Sequence, residues 1–224
     1  MYINVIILCF LFICLPAFSS GFLPSATEVH LGGAGKGKRD QLQLFNNSDE
    51  TTYVKVVDVV RVTNPGTPHQ AEVSVANDIK PELMVTPRML IIPPKSDVDV
   101  VVVDMLDRKS EDAYYFTLTP VMKPGEGITL GFAYKILVRA VPQKIVKSYE
   151  VNSNRQEVVI SNNGNSRIAL DNIRLCKDDN KSSCQFLAQK NVRVYPGLEH
   201  RIAKKSGHKI HFDVVFPEFN KYVM

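Results

Sequence analysis

Short segments rich in Val, Ile, Tyr, Phe and Thr recur along most of the chain, separated by Gly, Pro, Asn and Asp. Residues of the first kind favour β-strands, and those between them favour turns. No segment long enough for a helix repeats its apolar residues with a helical period. The pattern therefore predicts an all-β fold. In the first part of the chain the strand segments are QLQLFN (41–46), TTYVKVVDVVRVT (51–63), QAEVSVA (70–76), MLIIPP (89–94), VDVVVVDM (98–105), AYYFTLTPVM (113–122) and ITLGFAYKILVRAV (128–141).

A short Pro-containing segment, AVPQK at 140–144, divides the chain into two parts. The later part repeats the same pattern, and each part has the size of one immunoglobulin-like β-sandwich, about 80 to 120 residues. We therefore predict an N-terminal domain at 22–141 and a C-terminal domain at 142–224. Because the linker is short, a fixed angle between the domains is expected. The later strand segments are EVVISNNGN (157–165), RIALDNIRLC (167–176), CQFLAQKNVRVYP (184–196), HRIAKK (200–205) and KIHFDVVF (209–216).

Residues 1–20 lack charged side chains and contain an apolar run from Ile3 to Leu15, followed by Pro16 and several small residues. The run is too short to span a bilayer, and this arrangement is typical of a secretory signal peptide. We predict export, with cleavage near residues 19–21. The mature chain then holds only Cys176 and Cys184, and an exported protein meets an oxidising compartment, so we expect these two cysteines to form one local disulfide.

Several classes of function lack support in the sequence. The net charge is only +4, with Lys and Arg scattered, so no nucleic-acid partner is indicated. His208 and His211 would point to opposite faces of a strand, so they cannot chelate one metal ion there. No serine lies in the strand–turn–helix setting of a nucleophile elbow. We therefore expect no enzymatic activity, no metal site and no cofactor.

The longest predicted strand, GITLGFAYKILVRAV at 127–141, is the last one before the linker. It is longer than a small sandwich normally covers, since typical strands have about five or six residues. An uncovered apolar edge of this kind favours the addition of another strand, including self-association. Alternate positions on one face of this strand are occupied by Ile128, Leu130, Phe132, Tyr134, Ile136 and Val138.

The chain resembles the periplasmic chaperones of the chaperone–usher fimbrial pathway, and its C-terminal half looks closest to the alpha-type chaperones of colonisation-factor fimbriae. Lys135 and Arg139 have the spacing of a Lys-x-x-x-Arg pair that the P-pilus chaperone carries just ahead of its linker. The segment VTPRMLIIPP is similar to the family's Thr-Pro run, and EDAYYF at 111–116 to its Glu followed by an aromatic strand. In the C-terminal half, ISNNGNSRIALDNIRLCKDDNKSSC is similar to the alpha-type strand, turn and Cys-containing loop.

The resemblance implies two immunoglobulin-like domains in a boomerang arrangement and a role in binding fimbrial subunits before an outer-membrane usher receives them. Lys135 is then expected to grip the subunit's C-terminal carboxylate, and Glu111 and Arg139 to pair at the domain interface. Glu28 falls where the family has a second basic cleft residue, which leaves Lys36, Lys38 or Arg39 as candidate substitutes. The residues expected to bind the subunit are Ile128, Leu130, Phe132, Tyr134 and Lys135.

An alternative interpretation is a secreted adhesin or binding module built from two sandwiches. Such a protein is expected to carry aromatic or polar loops at one tip, whereas the tyrosines of this chain fall mostly within predicted strands. The sequence therefore favours a chaperone, located in the periplasm, over a binding module.

Overall fold

The structure, a computed structural model, describes residues 21–33, 37–75, 81–121, 131–177, 184–189 and 192–216. The predicted signal peptide at 1–20 lies outside this range. Regular structure in the described residues consists of β-strands alone, which confirms the all-β prediction. The described residues accordingly contain no helix that is long and apolar enough to cross a bilayer. The first ten strands are β1 (Phe22–Pro24), β2 (Glu28–Gly32), β3 (Arg39–Asn46), β4 (Thr52–Thr63), β5 (Ala71–Ser74), β6 (Leu83–Thr86), β7 (Met89–Ile92), β8 (Asp97–Asp104), β9 (Asp112–Pro120) and β10 (Tyr134–Val141).

These ten strands form the N-terminal sandwich. One sheet has the order β1-β3-β8-β6, and the other has the order β2-β10-β9-β4-β5, with β7 also pairing with β4. Strand β10 runs antiparallel to β9 from Tyr134 and parallel to β2 from Leu137, so its part from Leu137 onward lies inside the sheet rather than at the edge.

Alternation of apolar and polar residues explains how the two sheets pack. In β3, Leu42 and Leu44 are buried while Gln43 between them is exposed. In β8, Val100 and Val102 are buried and Val101 between them is half-buried. They meet residues such as Phe116 of β9 in one continuous core. Complete burial of each such side chain stabilises the fold by about 1.5–3 kcal/mol relative to exposure.

The C-terminal sandwich is smaller. Its first sheet has the order β11-β12-β16; in its second, β13 pairs with β14, β15 and β17. Ile160 from the first sheet and Leu170 from the second are buried in a common core. The seven strands are β11 (Tyr149–Ser153), β12 (Glu157–Asn162), β13 (Ile168–Cys176), β14 (Cys184–Phe186), β15 (Val192–Val194), β16 (Glu199–Ala203) and β17 (Lys209–Val215).

Strand β10 is shorter than the strand predicted at 127–141. It begins at Tyr134, which pairs with Leu118, and the residues at 131–133 precede it without strand pairing. In the same antiparallel register, Pro120 of β9 would lie opposite Phe132. The backbone of Pro120 has no N–H to donate, so the pairing between β10 and β9 does not extend to this position. Residues 122–130 lie outside the described part of the chain.

Candidate functional site

Strand β10 contributes to two environments. Ile136, Val138 and Ala140 point into the core of the N-terminal sandwich and are fully buried. The alternate residues Lys135 and Arg139 share the opposite face, as the two-residue period of a strand requires. This face looks toward the C-terminal sandwich, and the interdomain cleft is built along it.

Lys135 lies at the exposed end of this face, with its side chain 48% accessible. Its ammonium pairs with the carboxylate of Glu72 on β5, at 2.5 Å. The same ammonium lies 4.6 Å from the centre of the Tyr115 ring on β9, within cation–π range. The Lys135 side chain is therefore held across the sheet, with its charge accessible from solvent.

Arg139 and Glu111 lie at the closed end, where their side chains are 1% and 0% accessible. The guanidinium of Arg139 donates to Glu111 Oε1 over 2.6 Å. From the C-terminal sandwich, Ser166 Oγ and the backbone N–H of Arg167 each donate to Glu111 Oε2 over 2.8 Å. The Glu111 carboxylate thus joins the two sandwiches, because one oxygen binds Arg139 of the N-terminal sandwich and the other binds Ser166 and Arg167 of the C-terminal sandwich.

The charge on Arg139 is enclosed by protein. Burial lowers the pKa of Arg139, the nearby Arg167 acts in the same direction, and Glu111 opposes both. An arginine nevertheless stays protonated in proteins. The interface therefore contains a permanent buried positive charge whose compensation depends on neighbouring carboxylates.

Glu28 supplies part of that compensation. Its carboxylate lies 3.0 Å from Arg167 and 3.8 Å from Arg139, and 3.4 Å from the imidazole of His30. A basic residue at position 28 would face two arginines. The difference from the family pattern at Glu28 therefore has a local electrostatic explanation. Of the candidate substitutes, Lys38 pairs with Asp107, and Lys36 lies outside the described residues.

The apolar part of the interface centres on Tyr195, which packs against Val62 and Ala113 of the N-terminal sandwich. Burial raises the pKa of the Tyr195 hydroxyl. Beside it opens a cleft of about 410 Å³ between the two sandwiches. The walls of this cleft include Tyr115, Leu137, Arg167, Arg193, Tyr195 and His200.

The linker is held by the turn Asn162–Asn165 that the sequence predicts. Asn165 Oδ1 accepts a hydrogen bond from the Val146 N–H over 2.7 Å, and its Nδ2 donates to the Lys109 and Lys144 carbonyls. At Gly164, an added Cβ would lie 2.5 Å from the Val146 carbonyl oxygen, so only glycine permits this approach. These contacts favour a fixed interdomain angle.

The residues expected to bind the subunit differ in their surroundings. Phe132 is 66% exposed, which is unusual for a side chain of its size. Tyr134 is half-buried, packs against the N-terminal core and meets the Phe22 ring edge-on at 5.2 Å between centroids. Ile128 and Leu130 lie outside the described residues. Within the described part of this segment, Phe132 is the apolar side chain open to a partner.

The cysteine prediction is confirmed, because Cys176 and Cys184 form a disulfide that joins β13 to β14. Sequence reasoning did not identify Ser166, Arg167, Tyr195 or Glu72 as site residues. They come from distant parts of the chain, and no local motif marks them. Within the described ranges no cluster of His, Cys, Asp and Glu is arranged to hold a metal ion.

No family model matches the chain. Among curated proteins, the chain is 25% identical over 172 residues to a CFA/I fimbrial subunit of Escherichia coli, a match that covers 71% of each protein. Among solved structures, it superimposes on the class 5 fimbriae chaperone CfaA with a TM-score of 0.73 and 22% identity, covering 90% of this chain and 95% of that one.

A second solved structure is described as a chaperone–tip adhesin complex vital for activation of CFA/I fimbriae biogenesis. The chain matches it with a TM-score of 0.66 and 23% identity, covering 86% of this chain and 98% of that one. The chain therefore has the fold of two immunoglobulin-like sandwiches found in the chaperone–usher fimbrial chaperones, the family that its sequence resembles.

Proposed function

We propose that the protein is a periplasmic chaperone that binds fimbrial subunits, stabilises them by lending them a strand, and delivers them to an outer-membrane usher. The observation that carries this proposal is the accessible ammonium of Lys135, which lies over the ring of Tyr115 on the wall of the interdomain cleft. Lys135 is also close in sequence to the exposed ring of Phe132. The likeness in fold to CfaA and in sequence to the CFA/I protein supports it.

The mechanism is one of binding rather than covalent chemistry. A subunit that lacks a strand exposes a groove with apolar walls and unpaired backbone groups. An added strand satisfies the backbone groups, and its alternate side chains fill the groove. We assign the groove-filling role to residues 128–132, with Phe132 as the described member, while Tyr134 packs against the chaperone's own core.

Lys135 would bind the subunit's C-terminal carboxylate. A hydrogen bond between two charged groups is stronger than one between neutral groups, and it contributes about 1.5–3 kcal/mol when shielded from water. Such an anchor also sets register, because a one-residue slip would turn the opposite face of the strand into the groove.

The interface network would set the angle between the two sandwiches and therefore the shape of the cleft. We assign this role to Glu111 and Arg139, on the basis of their burial and of the hydrogen bonds that Glu111 accepts from Ser166 and Arg167. We further propose residues 22–141 and 142–224 as the two domains, and residues 1–20 as a signal peptide that is removed on export.

The test is co-expression with the cognate subunit, followed by purification of the complex through a tag on the chaperone. We expect Lys135→Gln and Phe132→Asp each to lower subunit recovery by about tenfold, the loss that about 1.4 kcal/mol of binding produces. Lys204→Gln and Phe186→Asp are matched controls, because both residues lie on the C-terminal sandwich and Phe186 is 71% exposed. Unchanged recovery with both Lys135→Gln and Phe132→Asp contradicts the proposal.

A further inference from the structure

The Lys135 ammonium already contacts a carboxylate within its own chain. Glu72 lies 63 residues earlier, and its Oε1 is 2.5 Å from Lys135 Nζ. In the proposed function this ammonium receives the C-terminal carboxylate of a fimbrial subunit. Glu72 thus presents to Lys135 the same chemical group as the expected ligand.

The contact spans a considerable part of the sheet. Strands β10 and β5 are separated by β9 and β4, so Lys135 and Glu72 are not neighbours on adjacent strands. The Lys135 side chain extends over the Tyr115 ring on β9 to reach Glu72. The Tyr115 ring and the Glu72 carboxylate together determine where the ammonium lies.

The ion pair between Lys135 and Glu72 is exposed enough for another carboxylate to replace Glu72. The side chains of Lys135 and Glu72 are 48% and 39% accessible, and all four residues of β5 are exposed. Ion pairs of this exposure contribute little to stability, because water and salt screen them. A carboxylate that arrives together with an apolar strand would be shielded from water, and it would therefore bind the ammonium more tightly than Glu72 does.

We propose that Glu72 is an internal competitor for the Lys135 ammonium, which the subunit's C-terminal carboxylate displaces on binding. This inference rests on the proposed function. It makes Glu72 a specificity-determining residue. A free carboxylate would bind Lys135 only weakly, because it merely replaces the ion pair that Glu72 already forms. A carboxylate at the end of a complementary strand would bind more tightly, because the strand adds its own contacts.

The experiment compares Glu72→Gln with the unaltered protein. The probe is a fluorescent peptide of the last strand of the cognate subunit, made once with a terminal carboxylate and once with a terminal amide, and its Kd is measured by anisotropy. We expect Glu72→Gln to tighten binding of the carboxylate peptide about three- to fivefold, the range set by an exposed ion pair. The amide peptide should bind both proteins equally, and Glu72→Gln should have no effect when combined with Lys135→Gln.

Glu157→Gln is the matched control, since Glu157 forms an ion pair with Arg201 on the C-terminal sandwich. The inference is overturned if the carboxylate peptide binds Glu72→Gln no more tightly than it binds the unaltered protein. Weaker binding to Glu72→Gln would mean that Glu72 positions Lys135 rather than competes for it. If the unaltered protein binds the carboxylate and amide peptides equally, the anchoring role of Lys135 in the proposed function fails instead, so the two failures are distinguishable.

Discussion

The carboxylate of Glu111 and the guanidinium of Arg139, 2.6 Å apart, form a buried ion pair at the junction of the two sandwiches. The second oxygen of the same carboxylate accepts hydrogen bonds from Ser166 and Arg167 on the C-terminal side. Loss of this one carboxyl charge would therefore leave a buried cation partly uncompensated and weaken both polar contacts across the interface.

We expect Glu111→Gln to lower the free energy of unfolding by about 3–5 kcal/mol, the usual cost of removing one partner of a buried ion pair. Replacing both members, with Glu111→Leu and Arg139→Met, should recover part of this loss because the uncompensated charge of Arg139 is then removed as well. Urea unfolding followed by circular dichroism measures both, with Glu157→Gln as a surface control. A loss no larger for Glu111→Gln than for Glu157→Gln would show that the pair contributes little.

Gly32 ends β2, opposite Val141 at the end of β10, with φ at +78°. A Cβ there would lie 1.9 Å from the Val141 carbonyl oxygen. Gly197 has a similar φ of +73° but open space around it. A left-handed backbone costs an L-residue about 1–2 kcal/mol, so Gly197→Ala should lose about that much.

Gly32→Ala should lose more than Gly197→Ala, because the clash with Val141 adds to the backbone strain. Thermal unfolding of the two variants side by side measures the difference. Equal losses would mean that β10 moves away from β2 without cost.

The disulfide between Cys176 and Cys184 closes a short loop. The double variant Cys176→Ala, Cys184→Ala should be less stable by about 2–3 kcal/mol, because its unfolded chain is less restricted. Urea unfolding, with the reduced unaltered protein as a comparison, measures the change. Subunit recovery should remain unchanged, and its loss would show that the disulfide also shapes a binding surface.

His200 lies on the wall of the interdomain cleft, and burial lowers its pKa below the ordinary value of 6.5. The unfolded chain therefore binds more protons at His200 than the folded protein does as the pH falls through 6.5. The free energy of unfolding should therefore decrease as the pH falls through 6.5, and the contribution of neutral His200 should be fully present above that pH. We expect His200→Gln to lose less stability than the unaltered protein between about pH 7.5 and pH 5.5, a range that brackets the ordinary titration of histidine.

Urea midpoints at the two pH values provide the measurement. His208→Gln, in the turn before β17, is the control for the histidine-to-glutamine substitution itself. An identical pH dependence in His200→Gln would exclude His200 as its source.

Much of the fold could be predicted from the sequence, because strand alternation is a local property. The segments at 41–46, 98–105 and 157–165 correspond to β3, β8 and β12 in the structure. Strands β1, β2, β6 and β11, each of three to five residues, lie in segments that the sequence pattern did not identify as strands. The start of β10 was also placed too early, because the pattern of apolar residues does not reveal where the neighbouring strand stops pairing.

The all-β fold, the cysteine pair, and the placement of Lys135 and Arg139 on one face of one strand follow from local sequence, because four residues is an even number of strand positions. The partners of these two side chains depend instead on the assembled sandwiches. Arg139 is covered by the C-terminal sandwich and pairs with Glu111, whereas Lys135 stays accessible beside Glu72. These partners lie 28 and 63 residues away in sequence. Glu111 was expected as a partner of Arg139 only from the family resemblance, and Glu72 was not expected at all. Contacts of that kind depend on how sheets and sandwiches pack, which local residue patterns do not specify.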